Sequence, residues 1–224
     1  MDDRVYGRAA FLGILGAGAA GLVWGRDLAD LAGRLLPRQV AALVPSRGWR
    51  IYTIRGVPRI DPARYRLRVD GLVERPLSLS LEDLRALPRA EQVSDFHCVS
   101  GWSVKNVHWA GVRFDDLLGE AGLKPEARYL QFVSAEVPYV DTLTVEQALL
   151  PDVLLALEMD GKPLTRPHGF PARVVMPRMY GYKSVKWVSR IHARRDFVPG
   201  YWETHGYDSD AWIGKSNFFR QGLE

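Results

Sequence analysis

Apolar and polar residues alternate along several short stretches of the chain, a pattern typical of half-buried β-strands. The clearest case is 63–70, where three arginines alternate with apolar side chains. The same reasoning predicts strands at 92–98, 107–112, 129–135, 153–159, 172–176 and 185–193. The Asp160-Gly161 pair after 153–159 is typical of a hairpin turn.

Short helices are predicted between these strands. Ser80 begins a capping box, and a helix over 81–87 ends before Pro88. A second helix, 115–121, ends at Gly122, and a third, 144–150, has a threonine at its start. Scattered short helices among many strands, without a repeating strand–helix–strand order, predict an α+β fold with mixed and mainly antiparallel sheet.

The N-terminal part has a different composition. Residues 9–24 are almost continuously apolar or small, a stretch short for a spanning helix but near the length of a signal-peptide core. We therefore predict a signal-like or anchoring segment over 1–40, followed by one globular domain over 46–224. The G-x-G-x-x-G run at 16–21 lacks the downstream units that a dinucleotide-binding fold needs.

Residues 7–13 resemble a twin-arginine export signal in which alanine replaces one arginine. We expect an exported or membrane-anchored protein that faces the periplasm or the cell exterior. The incomplete motif leaves a cytoplasmic location open.

Charge and composition limit the classes of ligand. The 224 residues include 30 basic and 26 acidic side chains, for a net charge of +4, and 47% are hydrophobic. This content is enough for a substantial core. There is no basic run long enough to indicate nucleic-acid binding, so small anionic ligands fit the balance better.

The chain has a single cysteine, Cys98, at the end of a predicted strand and before a turn-like Val-Ser-Gly-Trp sequence. One thiol cannot form an internal disulfide or a cysteine-rich zinc or iron–sulfur site. Three roles remain open: an inert buried thiol, a nucleophile, or one soft ligand to a metal that a cofactor supplies.

A second group of candidate residues lies about seventy positions further on, in loops rich in glycine and proline. His168, Arg173, Lys183 and Lys186 offer hydrogen-bond donors there, and backbone amides near Ser184 could form an anion nest. Such a mixture suits a phosphate-bearing ligand. The alternative is ordinary surface charge beside a hairpin.

Several motifs together carry a family resemblance. They are Cys98-Val99-x-x-Trp102-Ser103, the sequences at 168–175 and 181–186, the Arg-Leu-x-Val-Asp-Gly stretch that begins at residue 66, and Pro-Gly-Tyr-Trp-Glu at 199–203. In this order and spacing, residues 46–224 resemble the molybdopterin-binding domain of the sulfite oxidase superfamily. They are more similar to the bacterial branch that includes the periplasmic methionine sulfoxide reductase catalytic subunit.

The resemblance implies that Cys98 is the thiolate ligand of molybdenum in a molybdopterin cofactor, and that Trp102 lines the catalytic site. It also implies cofactor contacts from Arg50, Tyr52, Ser134, His168, Arg173, Lys183, Ser184, Val185 and Lys186.

The function that the resemblance implies is molybdenum-dependent oxygen-atom transfer. Sulfite oxidases place an arginine shortly after the cysteine, and Trp102 and its neighbours lack that charge. We therefore expect reduction of an S-oxide or N-oxide, on a small molecule or a protein, with sulfite oxidation as the alternative. A Cys98–His168 hydrolase and a non-catalytic scaffold or electron-chain subunit are alternatives of other classes.

Electron exchange requires a partner, because the sequence has no haem-attachment motif and no iron–sulfur cysteines. In the resembled branch this partner is a membrane haem protein. The animal enzymes dimerise through an additional β-domain, so we expect this chain to be a monomer.

Overall fold

The computed structural model describes residues 48–215, and the predicted N-terminal segment 1–40 lies outside them. The chain divides between Trp49 and Arg50, and the unit that begins at Arg50 carries the strands and helices of the fold.

Ten strands and three short helices make up the described part of this unit. The strands are β1 Leu67–Gly71, β2 Leu77–Leu79, β3 Arg89–His97, β4 Ser103–Arg113, β5 Tyr129–Ser134, β6 Val140–Thr144, β7 Leu154–Met159, β8 Lys162–Pro163, β9 Arg173–Val175 and β10 Val188–Arg194. The helices are α1 Leu81–Ala86, α2 Phe114–Ala121 and α3 Val145–Ala148, and 3₁₀ turns cover Arg166–His168, Gly181–Lys183 and Glu203–His205.

The strands form two sheets. The first has the order β2-β1-β10-β5-β6, in which β1 and β10 are parallel and the other pairs antiparallel. The second has the order β3-β4-β7-β8, all antiparallel, and β9 also pairs with β7. The prediction of an α+β fold with mixed and mainly antiparallel sheet is confirmed.

Local sequence signals account for many of the element boundaries. Along β1, Leu67 and Val69 are buried and Arg68 is exposed, as alternation requires. The Ser80 side chain accepts a hydrogen bond from the Asp83 amide at 3.1 Å, and the Asp83 carboxylate accepts one from the Ser80 amide at 2.8 Å. This reciprocal pair is the predicted capping box.

Several elements differ from the prediction, and three examples show the causes. β1 begins at Leu67 and not at 63, because the amides of Arg64 and Tyr65 donate to the Asp61 carbonyl in a turn. β4 begins at Ser103 and not at 107, and it continues through the polar Asn106, whose φ of 54° forms an irregularity. No strand was predicted at β6, where Asp141 and Thr142 interrupt the apolar pattern.

The core lies between the sheets and the helices. Phe114 at the start of α2 meets Phe132 of β5 edge to face, with ring centroids 5.4 Å apart. Leu130 of β5 and Ile191 of β10 are buried in the same cluster. Over residues 48–215, the chain has no helix of the length and apolarity that crossing a membrane requires.

Gly111 in β4 allows β4 and β7 to approach closely. A methyl group added there would overlap the Leu155 carbonyl oxygen, which belongs to the backbone and cannot move aside alone. We predict that Gly111→Ala lowers the free energy of unfolding by about 1–3 kcal/mol, measured by urea denaturation. Gly119→Ala in α2 is the control. Its added methyl group meets open space and should raise stability by about 0.5–1 kcal/mol. Equal stability of Gly111→Ala and the wild type would contradict this account.

Candidate active site

Cys98 begins the tight turn between β3 and β4. Its amide donates to the Trp102 carbonyl at 2.9 Å, and the Gly101 amide donates back to the Cys98 carbonyl at 3.0 Å. Gly101 has a φ of +89°, a conformation that favours glycine. The thiol is half-buried, with its Sγ 3.1 Å from the Ser100 Oγ. The fold therefore presents the thiol to one side of a well-defined turn, as the sequence predicted.

Aromatic side chains flank this turn. The buried Trp102 ring lies 5.7 Å from the Phe96 ring and stacks at 6.4 Å on Tyr52. His97 points elsewhere, with its Nδ1 2.8 Å from the Ser103 Oγ across the hairpin. The side of the turn that carries Trp102 is consequently apolar and aromatic.

Arg173 connects the hairpin of β3 and β4 that carries Cys98 (the cysteine hairpin) to the loops at 168–173 and 181–187 (the basic loops). Its guanidinium is buried and lies over the rings of Phe96 and Trp109, at 5.4 and 5.2 Å from their centroids. It donates to the main-chain carbonyls of His168 at 3.2 Å and Ser184 at 3.3 Å. One side chain thus contacts both regions that the sequence had singled out.

Lys186 is held at the edge of the same region. Its ammonium donates to the carbonyls of Tyr52 at 2.8 Å and Pro167 at 3.5 Å. The Ser134 hydroxyl donates to the Lys186 carbonyl at 2.8 Å, which fixes the backbone. Gly169, with φ +110°, lets the preceding loop approach closely: an added Cβ would lie 3.2 Å from the Lys186 Cβ.

The basic side chains in this region influence one another. Burial and the nearby Arg173 lower the pKa of Lys186 to about 7, although Glu136 partly opposes the shift. Burial, Arg173 and Lys186 also lower the pKa of His168, and burial lowers the pKa of Arg173 to about 10. In each case burial disfavours the charged form, and neighbouring cations add to this effect for Lys186 and His168.

Three other residues that were predicted to contact the cofactor make hydrogen bonds or ion pairs within the protein. The Ser184 hydroxyl accepts from the Met176 amide at 3.1 Å, and the buried Val185 accepts from the Val174 amide through its carbonyl at 2.8 Å. The Lys183 ammonium turns to buried carboxylates near β6. The roles of these residues as cofactor contacts stay predictions, as does that of the half-buried Arg50.

Sequence reasoning did not find Glu136. This carboxylate is buried, and its Oε1 accepts hydrogen bonds from the amides of Ile54 at 2.6 Å and Arg55 at 2.8 Å. It therefore anchors the segment that carries Tyr52 beside Lys186. The sequence signal for Glu136 was its place two residues after Ser134. The residues that it contacts lie some eighty positions away in the sequence, so the pattern did not show them.

A surface cleft of about 280 Å³ lies apart from these residues, near the C-terminal end of β10, with Gly71, His192 and Arg194 in its lining. None of the residues of the cysteine turn lines it, so the chemistry of the thiol belongs elsewhere.

Comparison with known proteins identifies the family of this chain and the cofactor that the family binds. The family described as "Oxidoreductase molybdopterin binding domain" matches residues 54–202. The chain belongs to this family. Its predicted cofactor, molybdopterin, and its predicted class, a molybdopterin-dependent oxidoreductase, are thereby confirmed.

Relatives of this molybdopterin-binding protein carry several names. An uncharacterized oxidoreductase, YuiH, of Bacillus subtilis is 42% identical and covers 68% of this chain and 77% of its own. A putative protein-methionine-sulfoxide reductase subunit, YedZ1, of Azospira oryzae is 36% identical over 71% of this chain and 59% of its own. Chicken sulfite oxidase is 35% identical over 67% of this chain and 39% of its own.

A solved structure shows the same fold. The sulfane dehydrogenase SoxCD from Paracoccus pantotrophus superposes with a TM-score of 0.60 at 31% identity, over 63% of this chain and 41% of that chain. The present chain spans less than two thirds of YedZ1, of chicken sulfite oxidase and of this structure.

The residues present fit a molybdopterin. A soft thiolate is a suitable molybdenum ligand, and Cys98 is the thiol presented at this site. The cofactor's phosphate requires fixed donors and positive charge, and Arg173 and Lys186 would supply both. The lowered pKa of Lys186 is the kind of shift that a bound anion would reverse.

A phosphate held by Lys186 would make cofactor binding pH-dependent. The pKa of Lys186 lies below its ordinary value, so above pH 7 the free protein holds a neutral amine, and binding an anion takes up a proton. A phosphate monoester, with its second pKa near 6, stays fully ionised there. We predict that the dissociation constant of molybdopterin from the apo-protein rises up to about tenfold per pH unit between pH 7 and 9.

Fluorescence titration of the apo-protein measures this profile, and Lys186→Arg is the control because arginine stays charged throughout. Its profile should be flat over the same range. An equally steep loss of affinity in Lys186→Arg would show that another group titrates.

Proposed function

We propose that this protein reduces a neutral S-oxide or N-oxide by oxygen-atom transfer. The observation that carries the proposal is the composition of the cysteine turn: residues 99–103 have no charged side chain, and Trp102 packs between Phe96 and Tyr52. An anion such as sulfite would gain from a cation at this position, whereas a neutral oxide would not need one.

The reaction has a defined balance. An S-oxide takes up two electrons and two protons and yields a sulfide and water. When bound, molybdenum in this cofactor exchanges the oxygen atom and the electrons, and the protein supplies binding and orientation. The Azospira relative, whose name refers to a methionine-sulfoxide reductase subunit, supports the reductive direction.

Trp102, Tyr52 and His168 have positioning roles in this proposal. The buried Trp102 limits water at the Cys98 turn, and Tyr52, which is 55% exposed, forms an open edge through which a substrate could approach. The His168 Nδ1 lies 2.7 Å from the Thr165 Oγ1, which fixes the imidazole. Burial, Arg173 and Lys186 lower the pKa of His168, which favours the neutral imidazole.

Electrons for the reduction would come from a separate redox protein, and we propose a membrane haem protein in this role, at the periplasmic or outer face of a membrane. The word "subunit" in the name of the Azospira relative and the apolar residues 9–24 support this arrangement. Cell fractionation that recovers the protein with the cytoplasm would argue against it.

Substrate preference tests the proposal. We predict that kcat/KM for a small sulfoxide or amine N-oxide, with a reduced dye as electron donor, exceeds kcat/KM for sulfite with a dye acceptor by at least about 100-fold, which corresponds to about 2.7 kcal/mol. Faster oxidation of sulfite would overturn the proposal and favour the alternative direction.

An added cation should shift this preference. Ser100 lies beside the Cys98 thiol, so Ser100→Arg should improve kcat/KM for sulfite about tenfold and leave that for neutral oxides nearly unchanged. Val93→Arg is the control, because Val93 is exposed on β3 away from the turn. The same gain in Val93→Arg would show that general surface charge, and not the site, selects the substrate.

A further inference from the structure

Lys183 is a fully buried cation beside the predicted phosphate-binding residues. It ends the 3₁₀ turn Gly181–Lys183 and directly precedes Ser184. Its ammonium lies 2.5 Å from the Asp141 carboxylate, 2.6 Å from the Glu203 carboxylate and 2.8 Å from the Thr142 carbonyl. A lysine ammonium has three protons, and these three acceptors use all of them.

The acceptors come from two other parts of the fold. Asp141 and Thr142 belong to β6, whereas Glu203 ends the C-terminal segment 198–203 and begins the last 3₁₀ turn. The second oxygen of Glu203 accepts a hydrogen bond from the Gly200 amide at 2.6 Å. The two carboxylates and the ammonium therefore tie the Lys183 turn, β6 and this segment together.

The same segment is fixed to β6 by further contacts. The Tyr201 amide donates to the Val140 carbonyl at 2.8 Å, and the Thr142 hydroxyl donates to the Val198 carbonyl at 2.7 Å. Gly200 is so close to β6 that an added Cβ would lie 2.9 Å from the Asp141 Cγ. The Pro-Gly-Tyr-Trp-Glu sequence at 199–203 thus serves to bring Glu203 to Lys183.

The position of the Lys183 turn determines where the next residues of the chain lie. The Ser184 carbonyl accepts from the Arg173 guanidinium, and the Ser184 amide closes the turn on the Gly181 carbonyl at 3.1 Å. Lys186 lies two residues beyond Ser184. A displacement of the turn would therefore move Arg173 and Lys186 together.

We propose that Asp141, Lys183 and Glu203 form a positioning cluster that fixes the turn before Ser184 and so determines how firmly the protein holds its molybdopterin. In this proposal Lys183 acts through Ser184, Arg173 and Lys186, because Asp141, Glu203 and the Thr142 carbonyl use its three ammonium protons. The inference rests on the cofactor and not on the proposed substrate or direction of oxygen transfer.

The chemistry of the cluster suggests which substitution to make. Removing the ammonium would leave two buried carboxylates without a counter-charge, which is strongly destabilising. Glu203→Gln keeps the volume and leaves Lys183 paired with Asp141. The glutamine side chain has one oxygen, which can accept a hydrogen bond either from the Lys183 ammonium or from the Gly200 main-chain amide. One of the two hydrogen bonds that Glu203 accepts is therefore lost.

The rate at which folded holoprotein releases molybdopterin tests the proposal. Pterin fluorescence in the filtrate after dilution gives this rate, and circular dichroism confirms that the protein remains folded. We expect Glu203→Gln to release the cofactor at least tenfold faster than the wild type. Thr142→Val loses the hydrogen bond to the Val198 carbonyl and should release the cofactor about threefold faster than the wild type. This variant provides the test if Glu203→Gln does not fold.

Asp70→Asn is the matched control, because Asp70 binds Arg190 and His192 in the first sheet, apart from the Lys183 turn. Its release rate should stay within twofold of the wild type. The proposal would be overturned if folded Glu203→Gln released the cofactor at a rate within twofold of the wild type. It would also be overturned if Asp70→Asn released the cofactor as fast as Glu203→Gln, or if the wild-type protein retained no molybdopterin. The release rates do not depend on substrate turnover. A protein that reduced no S-oxide would therefore count against the proposed function and not against this proposal.

Discussion

The buried guanidinium of Arg173 is the interaction on which the arrangement of the site depends. A cation in this position would be costly without compensation. It obtains that compensation from the faces of Phe96 and Trp109 and from the carbonyls of His168 and Ser184. These groups come from the cysteine hairpin and from both basic loops. The guanidinium can be satisfied only when the three regions are in place together, so the fold and the site are formed by the same contacts.

The resulting site combines a soft ligand with a concentration of positive charge. Cys98 is offered at a turn with neutral neighbours, while Arg173 and Lys186 are held against main-chain carbonyls. Burial makes these cations sensitive to the presence of an anion, as the pKa of Lys186 at about 7 reflects. The molybdopterin that this family binds would bring a metal to the thiolate and an anionic group to the cations.

Local signals in the sequence predicted much of the fold, and longer-range contacts account for the rest. The capping residue Ser80, the Asp160-Gly161 turn and the strand before Cys98 depend on neighbours within a few residues, so their patterns were readable. The burial of Lys183 depends on Asp141 and Glu203, which lie 42 and 20 residues away in sequence. A lysine is usually exposed, so composition alone favoured a surface or ligand role. The strand β6 was missed for a related reason: its polar residues are buried by the C-terminal segment.

The claim that Cys98 binds molybdenum within a molybdopterin site is tested most directly by metal analysis and absorption spectroscopy of the purified protein beside Cys98→Ser. We predict about one molybdenum per chain in the wild type. In Cys98→Ser we predict a changed absorption spectrum with pterin still bound, since Arg173 and Lys186 are unaltered. A wild-type protein without molybdenum, or identical molybdenum content and spectra in the two proteins, would contradict the account.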